Sequence, residues 1–133
     1  MTTNVVAARE STTATEVSTR LLIGEFNGVP VIDSNIRVIG IVTAADILRA
    51  IRQGKNLDSL RARDIMTRDP IVVKQDTELE GIIDIMIQRV IVLVPVVDDD
   101  KNLIGVVARL DILREKLNEK FAAIGERSGL SKT

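Results

Sequence analysis

The sequence predicts an α/β fold of the mixed α+β kind, built from two strand-helix-strand-strand-helix units packed face to face. Three observations carry this. First, residues 28–49 recur at 93–114 without a gap, at a constant offset of 65. Gly28-Val29-Pro30-Val31-Ile32-Asp33 falls on Leu93-Val94-Pro95-Val96-Val97-Asp98, and Gly40-Ile41-Val42-Thr43-Ala44-Ala45-Asp46-Ile47-Leu48-Arg49 falls on Gly105-Val106-Val107-Ala108-Arg109-Leu110-Asp111-Ile112-Leu113-Arg114. Second, the apolar pattern changes between strand and helix periods in the same order in each copy. Third, 133 residues suit one ordinary domain, whereas a half of about 60 residues buries a core only marginally. The halves are therefore expected to share a core and to leave two equivalent clefts between them.

In the first unit, residues 1–54, Val5-Val6-Ala7-Ala8 reads as a short strand. Thr15 to Ile23 reads as a helix with Val17, Leu21 and Leu22 on its apolar face. Gly28–Ile32 and Val38–Val42 form a hairpin about Asp33-Ser34-Asn35. Ala44 to Arg52 is the second helix, with Gly54 as its stop. Residues 55–64 form a charged connector with room for a helical turn.

The second unit, residues 65–122, carries the clearer signals. Ile71-Val72-Val73 is a strand just after Pro70. Thr77 to Arg89 places Leu79, Ile82, Ile83 and Met86 at i, i+3, i+4 and i+7, with Asp76 and Thr77 as expected caps. Val92 to Val97 is a continuous apolar run, the mark of a buried strand, followed by the polar turn Asp98–Asn102 and the strand Leu103–Val107. Arg109 to about Ala122 reads as a helix with Leu110, Leu113, Leu117 and Phe121 on one face. The tail, residues 123–133, should fray. Met1 falls on the Met66 position, so the first unit lacks counterparts of the residues before Met66; truncation of a longer chain is open.

Composition excludes several functions. Apolar residues make up 45% of the chain, so it is globular. There is no Cys and no His, which removes disulfides, thiolate nucleophiles, the commonest metal ligands and the usual general base. With no nucleophile–base pair to assemble, an enzyme is not expected. The net charge is −1, from 18 basic and 19 acidic residues, and the aromatic residues are Phe26 and Phe121 alone. Neither a basic footprint nor a stacking platform for nucleic acid exists. No apolar run is long enough to span a bilayer, and no signal-peptide pattern opens the chain. A cytoplasmic protein is the expectation.

The junction of the last strand and second helix carries the chemistry. In Gly40-Ile41-Val42-Thr43-Ala44-Ala45-Asp46, Thr43 fits the cap position and Asp46 the third helical position. Thr-x-x-Asp is close to a capping box, in which each side chain satisfies the other's backbone donor. The same geometry suits a nucleotide: a helix amino terminus favours phosphate, a hydroxyl adds a bond, and a carboxylate accepts from sugar hydroxyls. Ala44, Ala45 and Gly28 leave room beside it. In the second copy Ala108 replaces the Thr, yet Asp111 stays in register.

These residues resemble a tandem pair of CBS domains, the cystathionine-beta-synthase-type module, over nearly the whole chain from Met1 to about Phe121. The marks are Asp64-Ile65-Met66-Thr67, the two Val-Pro-Val strands followed by Asp33 and Asp98, and the Gly-x-x-Thr-x-x-Asp-Ile-Leu junction. The resemblance implies two β-α-β-β-α units about a pseudo-twofold axis and clefts that bind adenosyl ligands such as AMP, ATP or S-adenosylmethionine. It implies regulation without catalysis, of an enzyme or transporter, with no obligate cofactor, and a homodimer through the helices. Asp46 and Asp111 would hold ribose hydroxyls, and Thr43 ribose or phosphate. Ile71 and Val72 would face the adenine of the Asp46 site; Val5 and Val6 would do so at the Asp111 site.

Departures from the resemblance set the ligand class. Nucleotide-sensing relatives often carry basic residues where this chain has Asn27-Gly28 and Val92-Leu93. The missing cations argue against tight triphosphate binding and leave a monophosphate or a sulfonium-type ligand. The Asp46 cleft is favoured; Arg109 alone could compensate at the other. Burying about 120 Å² of base is worth roughly 3 kcal/mol, and bonds from one carboxylate add on the order of 2–4 kcal/mol. After ordering costs, dissociation constants of about micromolar to millimolar follow. The rival reading is a scaffold with vestigial clefts. Asp98-Asp99-Asp100 suits a hairpin turn better than a hard cation, and Asp64 and Asp69 cancel the basic Arg61, Arg63 and Arg68.

Overall fold

The computed structural model describes the backbone of residues 6–128 and the side chains of residues 6–119. Val5, Phe121 as a side chain, and residues 129–133 lie outside this range. The elements are β1 (Ala8–Arg9), α1 (Ala14–Gly24), β2 (Gly28–Ile32), β3 (Val38–Thr43), α2 (Ala44–Arg52), α3 (Ala62–Ile65), β4 (Thr67–Arg68), β5 (Val73–Lys74), α4 (Leu79–Arg89), β6 (Leu93–Val97), β7 (Leu103–Ala108) and α5 (Arg109–Ser128). Two sheets result, ordered β1-β2-β3-β4 and β5-β6-β7. In each, a short parallel strand flanks an antiparallel hairpin, and Val29↔Val42 in one matches Val94↔Val107 in the other.

The duplication extends to backbone detail. Glu25 and Val90 end α1 and α4 with left-handed φ of 55° and 52°. Ile36 and Lys101 adopt φ of 65° and 67° in the equivalent hairpin turns. Asp33 and Asp98 close those turns alike, each Oδ1 accepting two backbone N–H groups, from Asn35 and Arg37 and from Asp100 and Asn102. Backbone hydrogen bonds from Asn102, opposed by partial desolvation and aided by its side-chain amide and the Asp100 N–H, hold the Asp98 carboxyl below its ordinary range. The acidic run is thus a turn, and among the described residues no group of three or more acidic side chains could hold a metal ion.

The units meet about a pseudo-twofold axis. Arg37 bridges Asn102, its own counterpart, and the Leu103 N–H donates to the Ile36 carbonyl at 2.9 Å. Ile41 and its counterpart Val106 share a small buried cluster with Leu93, the counterpart of Gly28. A Cβ on Gly28 would stand 3.7 Å from Leu93, so this glycine lies at the axis. Each unit keeps a larger core of its own, centred on Val17, Val29 and Val42 in the first and on Ile82, Val94 and Val107 in the second.

Several elements differ from the sequence reading. The first strand of each unit begins later than expected, at Ala8 and Val73; Ile71 and Val72 precede the paired residues and belong to no strand. Thr77 does not cap α4: its hydroxyl accepts the Lys74 N–H at 3.1 Å, and Glu78 stands at the cap without a side-chain bond. Leu22, Leu110, Leu113 and Leu117 face outward, and among the described side chains of α5 the buried one is Ile112. Helix α5 continues through Gly125 to Ser128. Residues 55–68 pack on the first unit: Ala62 is fully buried, the Ala14 N–H donates to the Leu60 carbonyl, and β4 adds a fourth strand beside Gly40 and Ile41. A Cβ on Gly40 would meet the Thr67 carbonyl at 3.0 Å, so this approach requires glycine.

Candidate functional site

Two concave sites lie between the units, related by the same axis. The first is a cavity of about 490 Å³, within the roughly 300–1,000 Å³ of small-molecule sites. Its floor is the β3–α2 junction, with Thr43, Ala44 and Ala45. One wall comes from the other unit, as Thr67, Asp69, Pro70 and Ile71; Asn27, Ile41 and Val90 to Leu93 complete it. The second, of about 640 Å³, is built on the β7–α5 junction with Ala108, Arg109, Leu110 and Asp111, and includes Glu25, Phe26, Asn27 and Arg114. Their offset of 65 makes these the two clefts that the duplication predicts.

Of the residues expected at the first cleft, Thr43, Asn27 and Ile71 line it. Gly28 is buried at the axis, and Val72 is half-buried outside the lining. Asp46, the residue expected to hold the ribose, does not line the cavity: it is buried beneath the junction, 8% exposed, because its carboxylate is engaged at its own helix end. Its Oδ2 accepts from the Thr43 N–H (2.8 Å) and hydroxyl (3.1 Å), its own N–H donates to Thr43 Oγ1 (3.3 Å), and Arg49 pairs with Oδ1. This is the capping box in full. At the second cleft Arg109 and Asp111 both line the site. Asp111 Oδ2 accepts the Ala108 N–H (2.8 Å) and Oδ1 pairs with Arg114 (3.1 Å), but Ala108 offers no oxygen in return. Val6 is exposed and does not line it.

The sequence reading missed the Thr67–Pro70 wall and the Val90–Ile91 edge. An Asp-Pro pair just before an apolar strand signals a turn, and Asp69 indeed takes a left-handed φ of 47°. What no local signal carried is that this turn faces the opposite unit.

The architecture defines a class: a duplicated β-α-β-β-α module with paired ligand-sized clefts at its helix junctions. The chain belongs to the CBS-domain family, whose model matches residues 1–53 and 62–118. It is similar to the CBS-domain pair of protein MJ0100, solved in complex with 5′-methylthioadenosine and S-adenosyl-L-methionine (TM-score 0.78, 29% identity, 86% of this chain and 90% of that one). It is also similar to CBSX2 solved in complex with AMP (TM-score 0.77, 29% identity, 88% and 90%). Among curated relatives, inosine-5′-monophosphate dehydrogenase of Methanocaldococcus jannaschii is 32% identical over 90 residues, which are 68% of this chain and 17% of that enzyme. The chain spans from 17% to 57% of the first four curated relatives it matches. CBS-domain pairs are generally regulatory modules, and the enzyme relative is a much larger protein. Among the described residues no helix is long and apolar enough to cross a membrane.

Proposed function

We infer that this chain is a regulatory module that binds an adenosyl ligand, an AMP-like nucleotide or S-adenosylmethionine, in the cleft at the β3–α2 junction. The observation that carries this reading is the cavity: it joins the Thr43 junction of one unit to Ile71 of the other, and the MJ0100 and CBSX2 pairs were solved with adenosyl compounds. Ile71, Val92 and Leu93 offer aliphatic packing for adenine, and Thr43 and Asn27 offer polar groups. Asp46 reaches ribose hydroxyls once its Oδ1 exchanges Arg49 for the sugar. The signal is a change in packing between units or copies, in a cytoplasmic homodimer that controls an enzyme or transporter.

Thermal melting of the full chain tests this, because a ligand selective for the native state raises the midpoint with concentration. With AMP, ATP, S-adenosylmethionine and NAD in turn, at least one is expected to produce that rise. The rise should vanish in Asp46→Ala and persist in Asp111→Ala, each judged against its own ligand-free midpoint since both changes remove a helix cap. One observation favours a second reading, a ligand-free scaffold: the Asp46 carboxylate is already fully occupied within its own helix. A midpoint unmoved by every adenosyl compound would select it.

A further inference from the structure

We propose that the two clefts divide adenosyl ligands by charge: the β3–α2 cavity takes a nucleoside whose 5′ group is a neutral thioether or a cationic sulfonium, and phosphate-bearing nucleotides are directed to the β7–α5 cleft. The proposal rests on the adenosyl reading above and names the chemistry within it.

The helix end that would ordinarily hold phosphate is closed at the first cavity. The N–H groups of Thr43 and Asp46 are spent in the capping box, and the Ala44 N–H donates to the Asn27 carbonyl at 2.9 Å. The Asp46 carboxylate offsets the positive end of the α2 dipole. Among the described lining residues the charged one is Asp69, on the opposite wall, and the rest are apolar or neutral. A phosphate there would meet a carboxylate and spent donors, whereas a sulfonium would meet a carboxylate across an aliphatic cleft. The second cleft keeps part of this arrangement, since the Ala108 N–H is spent on Asp111 Oδ2 and the Arg109 N–H donates to the Val92 carbonyl at 3.3 Å, but it differs in its charges and at the Asp111 N–H. Arg109 and Arg114 line it beside the carboxylates of Glu25 and Asp111, where the first cavity has Asp69 without a cation; among the described residues Arg114 pairs with Asp111 and Arg109 has no ion-pair partner, and Ala108 lacks the oxygen that engages the equivalent N–H in the first unit.

Isothermal titration of the full chain with 5′-methylthioadenosine, S-adenosylmethionine, adenosine and AMP tests the division. Two variants locate the binding. Ala45→Leu fills the first cavity with the residue that the second already has at that position, Leu110; Arg109→Ala strips the second. The thioether and the sulfonium are expected to bind at least about tenfold tighter than AMP at the site abolished by Ala45→Leu. Asp69→Asn, which tolerates the left-handed backbone, should weaken S-adenosylmethionine about three- to tenfold and leave 5′-methylthioadenosine unchanged. Residual AMP binding should be lost in Arg109→Ala. AMP binding as tight as 5′-methylthioadenosine, and lost in Ala45→Leu, overturns the charge division while leaving the adenosyl reading standing. No heat with any of the four compounds overturns both.

Discussion

Thr43 and Ala108 hold the same place in the two units, and one difference in a hydroxyl separates them. Thr43 completes a reciprocal cap with Asp46, while Ala108 leaves Asp111 with half of one. Thr43→Ala is expected to cost about 1 kcal/mol, and Ala108→Thr to return a similar amount, both read from urea unfolding midpoints with unchanged slopes. Equal stability of Thr43→Ala and the parent would mean that the cap is not an energetic feature of α2. A second prediction concerns Asp98. Backbone N–H donation from Asn102 lowers its carboxyl below the ordinary 3.8. A group whose folded pKa is depressed adds stability above its unfolded pKa, and loses that contribution as pH falls through the folded value. Asp98→Ala should therefore melt lower than the parent at pH 6, with the gap closing as the pH is taken below about 4. A gap that persists undiminished at pH 2 would assign the loss to the turn's side-chain packing.

At the scale of elements, Val90 is the clearest liability. A β-branched residue in the left-handed region is a backbone outlier, and this one is 85% exposed at the C-cap of α4. Its side chain gains little to offset the roughly 1–2 kcal/mol of that conformation, and glycine is the ordinary choice there. Val90→Gly should raise stability by about 1 kcal/mol after the added freedom of the unfolded chain is subtracted, measured by urea unfolding. The reverse holds at Gly54, which ends α2 with φ of 76°. That glycine was legible in the sequence, as was α2 itself, because a cap and a stop bracket a short amphipathic run. The start of β5 was not: Ile71 and Val72 have the composition of a strand, but pairing begins only where Val73 reaches Val96. Leu22 of α1 and the outward leucines of α5 were misread for a related reason. With apolar side chains on two faces, periodicity alone does not say which face the sheet covers, and small Ala14 and branched Ile112 fill the core instead.

For the molecule as a whole, the duplication was readable because a constant offset needs no structure to see, and the position of both clefts followed from it. Their walls were not readable, since Asp69 and Pro70 meet the Thr43 junction only through the pseudo-twofold arrangement. The same symmetry gives each unit an outward apolar face: Leu22 and Ile87 correspond, as do Leu48 and Leu113, and all four are more than half exposed. In the second unit this face is a groove of about 550 Å³ between α4 and α5, and Val90 and Ile91 line both that groove and the first cavity. Apolar faces of this extent mark association sites, and a matched pair of them suits a closed dimer. Ile87→Glu places a charge in the groove on a residue that is 71% exposed and lines neither cleft. Sedimentation velocity should show the parent as a dimer and Ile87→Glu as a monomer with an unchanged far-ultraviolet spectrum. Because Val90 and Ile91 are shared, ligand affinity and association should be linked reciprocally, so the monomeric variant should bind its adenosyl ligand with an altered constant. A parent that sediments as a monomer at tens of micromolar would remove the dimer from the functional reading. A monomeric variant with unaltered affinity would separate the cleft from the groove.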